Sequence, residues 1–110
     1  MIQKVRFSQE FEKAFKQLKK RYVSLPNDFK ALLESLIVNP YQGVALTDGM
    51  RKVRLSISSK RRGKRGGGRV IIRIAVDETQ LSILYIYDKS DMNDVSDAFL
   101  RDVIIRLENE

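Results

Sequence analysis

The apolar positions of this chain change their period twice. In residues 3–7, Gln3, Val5 and Phe7 alternate with Lys4 and Arg6, which predicts a short first strand. From Ser8, a residue type that caps helices, the period lengthens: Phe11, Phe15, Leu18 and Tyr22 recur at helical spacing, with Lys13, Lys16, Lys19 and Lys20 around them. A second stripe, Phe29, Leu32, Leu33, Leu36 and Ile37, follows Pro26, whose fixed φ suits a first helical turn, and stops at Asn39-Pro40. Only a few residues separate the two stripes, so the helices are expected to pack as an antiparallel hairpin.

After a turn-rich stretch containing Asp48-Gly49 the period drops to two. Val53, Leu55 and Ile57 alternate with Lys52, Arg54, Ser56 and Ser58. "RVIIRIAV" sets Val70, Ile72, Ile74 and Val76 against Arg69, Ile71, Arg73 and Ala75. "LSILYIY" comes after a turn at residues 77–80, so these two runs read as a hairpin. In that last run both parities are apolar, Leu84 with Ile86 and Tyr85 with Tyr87, and the pattern alone does not say which set is buried. Ser96 caps a terminal helix carrying Phe99, Val103, Ile104 and Leu107 on one side. The predicted fold is α+β: an N-terminal strand, a helical hairpin, a three-stranded antiparallel meander and a C-terminal helix. The helices are expected on one face of the sheet, leaving the other to a further cover or a ligand. At 110 residues, 1–110 is read as a single domain.

Composition narrows the chemistry. The chain has no cysteine and no histidine, which excludes disulfides, thiolate chemistry and cysteine–zinc sites. No metal or other cofactor is implied. No apolar run approaches the roughly 18 residues that span a bilayer, and the N-terminus lacks the apolar stretch of a signal peptide, so a cytoplasmic protein is expected.

Charge changes the picture further. The net charge is +7, and residues 48–76 hold ten Lys or Arg against a single Asp, whereas residues 77–110 are acidic. Such a block favours a polyanion, with nucleic acid the first candidate. The plainer reading is a solvated face or a surface for an acidic protein. If the apolar set of each strand faces the helices, Lys52, Arg54, Arg69 and Arg73 share the opposite face. Like charges side by side repel, so the cluster makes most sense when something negative arrives.

RNA fits that role, because guanidinium groups grip phosphate and aromatic rings stack on unpaired bases. Strand cleavage needs the ribose 2′-hydroxyl deprotonated, charge on the phosphoryl oxygens stabilised and the leaving oxygen protonated. Without histidine, a lysine set among other cations is the candidate base, and Lys52 holds that position. Arg54, Arg69 and Arg73 are suited to steadying transition-state charge. Tyr87 or Lys89 is placed to exchange a proton near the strand end. Taken singly, each residue also reads as an ordinary exposed strand position. The stretch "GKRGGG" is not a phosphate-cradling loop, since a strand and not a helix follows. It reads as a hairpin tip whose Lys60, Arg61, Arg62, Lys64 and Arg65, with nearby Arg51, supply phosphate contacts; a solubilising loop is the alternative.

"GMRKVRLSISSKRRGKRGGGRVIIRIAV" followed by "LYIYDKSDMNDVSDAFLRDVI" resembles the RelE/ParE superfamily of type II toxin–antitoxin toxins, in particular the HigB-like branch. The resemblance implies a metal-independent, ribosome-dependent mRNA endonuclease that inhibits translation and is silenced by a cognate antitoxin. By position, Lys52 and Arg54 match the basic pair on the second strand of RelE-type toxins, and Arg69 matches the arginine opening the next. The arginine and tyrosine that RelE carries after its last strand correspond to Ser90 and Ser96, and the histidine of many HigB-like members is absent. Tyr87 and Lys89 are the substitutes for the general acid. ParE-like relatives with this fold inhibit DNA gyrase and cut no RNA, and a catalytically inactive binder of RNA or antitoxin is a third reading.

Overall fold

The computed structural model describes residues 1–60 and 67–110. The elements are β1 (Lys4–Phe7), α1 (Gln9–Arg21), α2 (Leu25–Val38), β2 (Val44–Ala45), β3 (Met50–Leu55), β4 (Gly68–Ile74), β5 (Gln80–Asp88) and α3 (Asp97–Glu108). They build one five-stranded sheet in the order β1-β5-β4-β3-β2. As expected, β3, β4 and β5 form an antiparallel meander. The first strand joins its far edge in parallel, Lys4 against Gln80 through Phe7 against Ile83. The two-residue β2 has no pattern of its own and was not foreseen; it pairs with β3.

Local chemistry sets the helix ends. The Ser8 hydroxyl accepts the Phe11 N–H at 2.9 Å, and the Ser96 hydroxyl accepts that of Phe99 at 3.1 Å. Pro26 lies in the first turn of α2, where a missing N–H costs nothing. Phe7, Phe11, Phe15 and Phe29 pack ring against ring with centroids 5.1–6.5 Å apart, tying β1 to both helices.

The helices do not share one face. The α1–α2 hairpin covers Val53, Leu55, Val70, Ile72, Leu81, Ile83 and Ile86. On the reverse side α3 lays Leu100, Val103, Ile104 and Leu107 over Met50, Ile71, Leu84 and Tyr87. The expectation that all helices lie on one face is therefore corrected: the cover that the second face requires is α3 itself. Its apolar stripe was visible, but nothing in a single helix's periodicity says which side of a sheet it meets. Leu100, omitted from the predicted stripe, is almost wholly buried.

Strand β5 carries one extra residue. Ile71 faces Tyr85 while the next residue, Ile72, faces Ile83, so Leu84 has no partner and forms a bulge. Leu81 and Ile83 therefore face the hairpin, whereas Tyr85 and Tyr87 turn to the α3 side. This is why both parities of the run are apolar.

Gly43 shapes the entry to β2. Its φ is +77°, and a Cβ there would lie 2.1 Å from the carbonyl oxygen of Lys52. Gly43→Ala would strain both its own backbone and the strand carrying Lys52. It is expected to cost about 2–3 kcal/mol, read as a lower urea midpoint with an unchanged m-value.

Candidate functional site

The α3 face of the sheet assembles most of the residues expected to act together. Three side chains from three adjacent strands form one row: Arg54 on β3 stands opposite Arg69 on β4, which stands opposite Tyr87 on β5. One step along, Lys52, Ile71 and Tyr85 form a second row. Neighbouring strands lie about 4.8 Å apart, so the first row sets two guanidinium groups and a phenol side by side.

The environments within the row differ sharply. Arg54 is exposed and has no ion pair among the described residues. Arg69 is only 6 % exposed and donates to its neighbours' carbonyls, Gly68 at 3.0 Å and Gly67 at 3.5 Å. A buried arginine ordinarily has a carboxylate beside it; this one has Arg54 across the ladder. The hydroxyl of Tyr87 is buried and has no hydrogen-bond partner among the described residues. Burial pushes the Tyr87 pKa up and the Asp94 carboxylate adds to the shift, with Arg69 opposing both. The phenol thus holds its proton firmly across the physiological range. Tyr87→Phe would remove an orphaned buried hydroxyl, so the melting temperature is expected to stay level or rise by a few degrees, as differential scanning calorimetry would show.

Lys52 sits beside Asp94, with Nζ 3.5 Å from the carboxylate. Asp94 belongs to the segment between β5 and α3 and was not picked out from the sequence, because an isolated acid in an acidic stretch carries no pattern. Tyr85 stacks with Tyr87 at 6.3 Å and meets the edge of Phe99 at 5.1 Å, so the aromatic side of the site is continuous with α3. Lys89 is exposed in the turn after β5, where its N–H donates to Gly67 O at 3.2 Å.

The other predicted cations are placed elsewhere. Arg73 shares the face but lies beyond Ile71, bonded to Asp48 O at 2.9 Å and paired with Glu108 at 3.0 Å. Arg51 points to the opposite side, where it donates to Gln42 O at 2.8 Å and stacks over Tyr41. Lys60 is also on the hairpin side, its Nζ 2.6 Å from Asp88. Arg61, Arg62, Lys64 and Arg65 lie outside the described residues.

Asp88 is a site that sequence reading passed over. Its side chain is fully enclosed, yet it gathers Lys60, the Tyr22 hydroxyl, and the backbone N–H and hydroxyl of Ser90 at 2.9 and 2.8 Å, with Arg21 at 3.4 Å. Burial opposes its ionisation, but the hydrogen bonds from Lys60, Tyr22 and Ser90 outweigh it and hold the carboxyl well below the ordinary carboxylate range. The only available signal was an acid ending an otherwise apolar strand.

No family profile matches the chain. Its architecture does match that of E. coli toxin RelE. Against a double-mutant form of that protein in the free state the TM-score is 0.59, at 12 % sequence identity, over 96 % of this chain and 97 % of that one. The chain therefore has a RelE-like fold. At such identity the likeness carries the arrangement of elements and says nothing about individual residues. Among the described residues no helix is long and apolar enough to cross a membrane.

Proposed function

We propose that this protein is a type II toxin of the HigB-like branch that cleaves mRNA on the ribosome and is silenced by a cognate antitoxin. The observation that carries the reading is the row of Arg54, Arg69 and Tyr87, with Lys52 one step away. Two guanidinium groups placed across a ladder with no carboxylate between them form a receptor for a phosphate diester. In the proposed reaction Lys52, as the neutral amine and away from Asp94, accepts the proton of the ribose 2′-hydroxyl, and the 2′-oxygen attacks phosphorus. Arg54 and Arg69 stabilise charge on the phosphoryl oxygens. The bond to the 5′-oxygen breaks, and that oxygen takes a proton from Tyr87, leaving a 2′,3′-cyclic phosphate and a 5′-hydroxyl. Lys89 is the alternative donor.

Of the cations in the 60–68 segment, Arg61, Arg62, Lys64 and Arg65 supply ribosomal RNA contacts, while Arg51 and Lys60 act through the turn and the carboxylate they hold. The antitoxin is expected to lay an acidic or amphipathic segment over the cationic face. This work takes place at the ribosome, hence in the cytoplasm.

The test is to incubate the protein with ribosomes paused on a defined message and map new 5′ ends. Cuts confined to the A-site codon, absent without ribosomes, are expected. An intact message together with inhibition of gyrase supercoiling would replace this reading with the ParE-like one.

A further inference from the structure

We propose that the α3 side of the sheet carries a second anion site, at the end remote from Tyr87, built to hold a single phosphate group. Ser82 on β5 stands opposite Arg6 on β1 and opposite Arg73 on β4. Three adjacent strands thus set a hydroxyl between two guanidinium groups, one on either side at the strand spacing of about 4.8 Å. One step along, the exposed Lys4 stands opposite Gln80. None of these residues enters the proposed cleavage, so the site stands or falls apart from it.

The row borders a cavity of about 150 Å³ whose apolar wall is Leu84, Ile104 and Leu107. That is the room of about five waters at roughly 30 Å³ each, enough for a tetrahedral oxyanion and too little for a sugar or a base besides. Neutral partners aim the two guanidinium groups. Arg6 Nη2 donates to Leu107 O at 2.6 Å, and Arg73 Nε to Asp48 O at 2.9 Å. Carbonyls fix a guanidinium without cancelling its charge, and each group keeps further N–H donors. Gln80 and Ser82 also line the cavity, and their side chains form no hydrogen bond among the described residues.

Two features oppose an anion here, and both are weak. Glu108, the one carboxylate lining the cavity among the described residues, meets Arg73 at 3.0 Å from a side chain that is 57 % exposed. Ion pairs so placed contribute little and exchange readily. The end of α3 brings partial negative charge, but its carbonyls at Ile105 and Leu107 already accept from Asn109, Glu110 and Arg6. The balance is cationic, with donors on three sides: Arg6, Arg73, and the floor of Gln80 and Ser82. A carboxylate, planar with two oxygens, leaves one of those sides unanswered, whereas the tetrahedral oxygens of phosphate reach all three. The occupant is therefore a phosphate, as the free ion, a terminal monoester or a diester within a strand, and its arrival displaces Glu108 from Arg73.

The probe is inorganic phosphate, titrated into the full chain at constant ionic strength and followed by amide NMR. Saturable shifts are expected, centred on Arg6, Arg73, Ser82 and Leu107. Glu108→Gln, altered at an exposed helix end, removes the competing carboxylate and should tighten binding about two- to fivefold. Gln80→Glu sets a carboxylate in the floor and should weaken binding at least about tenfold. Adenosine 5′-monophosphate and a dinucleoside monophosphate without a terminal phosphate then separate the sources. The one that reproduces the shifts identifies a monoester or a diester, and a response to inorganic phosphate alone identifies the free ion. Absence of saturation, an equal response to acetate, shifts centred on Arg54 and Arg69, or affinity unchanged in both variants would overturn the proposal.

Discussion

Arg69→Ala is expected to lower ribosome-dependent cleavage by at least about a hundredfold, the usual consequence of removing one preorganised donor from developing oxyanion charge. Arg69 holds the centre of the row, between Arg54 and Tyr87, and is nearly enclosed. Its charge therefore acts through less water than that of a surface arginine. Arg54→Ala and Lys52→Ala are expected to fall in the same range, and pairs of these variants less than additively, because the groups act on one phosphate. Arg69→Lys should not restore activity, since an ammonium cannot present the planar fork that grips two oxygens. Stability offers the control. Removing Arg69 relieves a like-charge pair across the ladder and gives up hydrogen bonds only to neighbouring carbonyls. The variant's melting temperature should therefore stay close to that of the parent. Cleavage that survives in all three variants would remove the row from the mechanism.

Asp88→Asn is expected to have the largest effect on stability, a loss of about 3 kcal/mol at neutral pH, as is typical when one partner of a buried ion pair is removed. The enclosed carboxylate faces Lys60, Tyr22 and Ser90, and an amide keeps the shape while discarding the charge they were arranged around. The sign of the pH dependence follows from the depressed pKa. Asp88 contributes its full stabilisation above the ordinary carboxylate pKa, about 4, and that contribution drains away as pH falls toward its folded value. Urea denaturation should show the gap between parent and variant to be widest near pH 7 and smaller at pH 3. A gap that does not narrow on acidification would mean that Asp88 acts through packing alone.

The sequence made the elements legible wherever one physical constraint acted alone. The stripes of α1 and α2, the capping serines at 8 and 96 and the alternation of β3 and β4 each answered to one local constraint, and they appear in the structure except at two ends: Ile37 of the α2 stripe is 39 % exposed, and Val76 lies beyond the end of β4 and is 99 % exposed. The cationic set came from the same logic: Lys52, Arg54, Arg69 and Arg73 were assigned to one face by parity, and they share it. What could not be read depended on two elements at once. The side of the sheet chosen by α3, the parallel pairing of β1 with β5 and the two-residue β2 are all long-range. Lys60 looked like part of a cationic arm because its partner, Asp88, lies 28 positions away. Asp94 escaped notice for the same reason, being 42 positions from Lys52.

The extra residue at Leu84 gives β5 something like a shifted reading frame. In an unbroken strand of the same length Tyr87 would join Leu81 and Ile83 beneath the hairpin, and Asp88 would emerge among the arginines. A chain one residue shorter, lacking Leu84, would instead keep Arg69 opposite Tyr87 and Ile72 opposite Ile83, as they are paired here. Deletion, commonly the harsher event, is in this place the change that preserves the row, whereas straightening the strand at constant length would set Ile86 opposite Arg69 in place of the phenol. Distant chains of this fold are therefore best compared with a one-position gap allowed at Leu84. Aligned without it, a true counterpart of Tyr87 would be matched to the wrong side of the sheet.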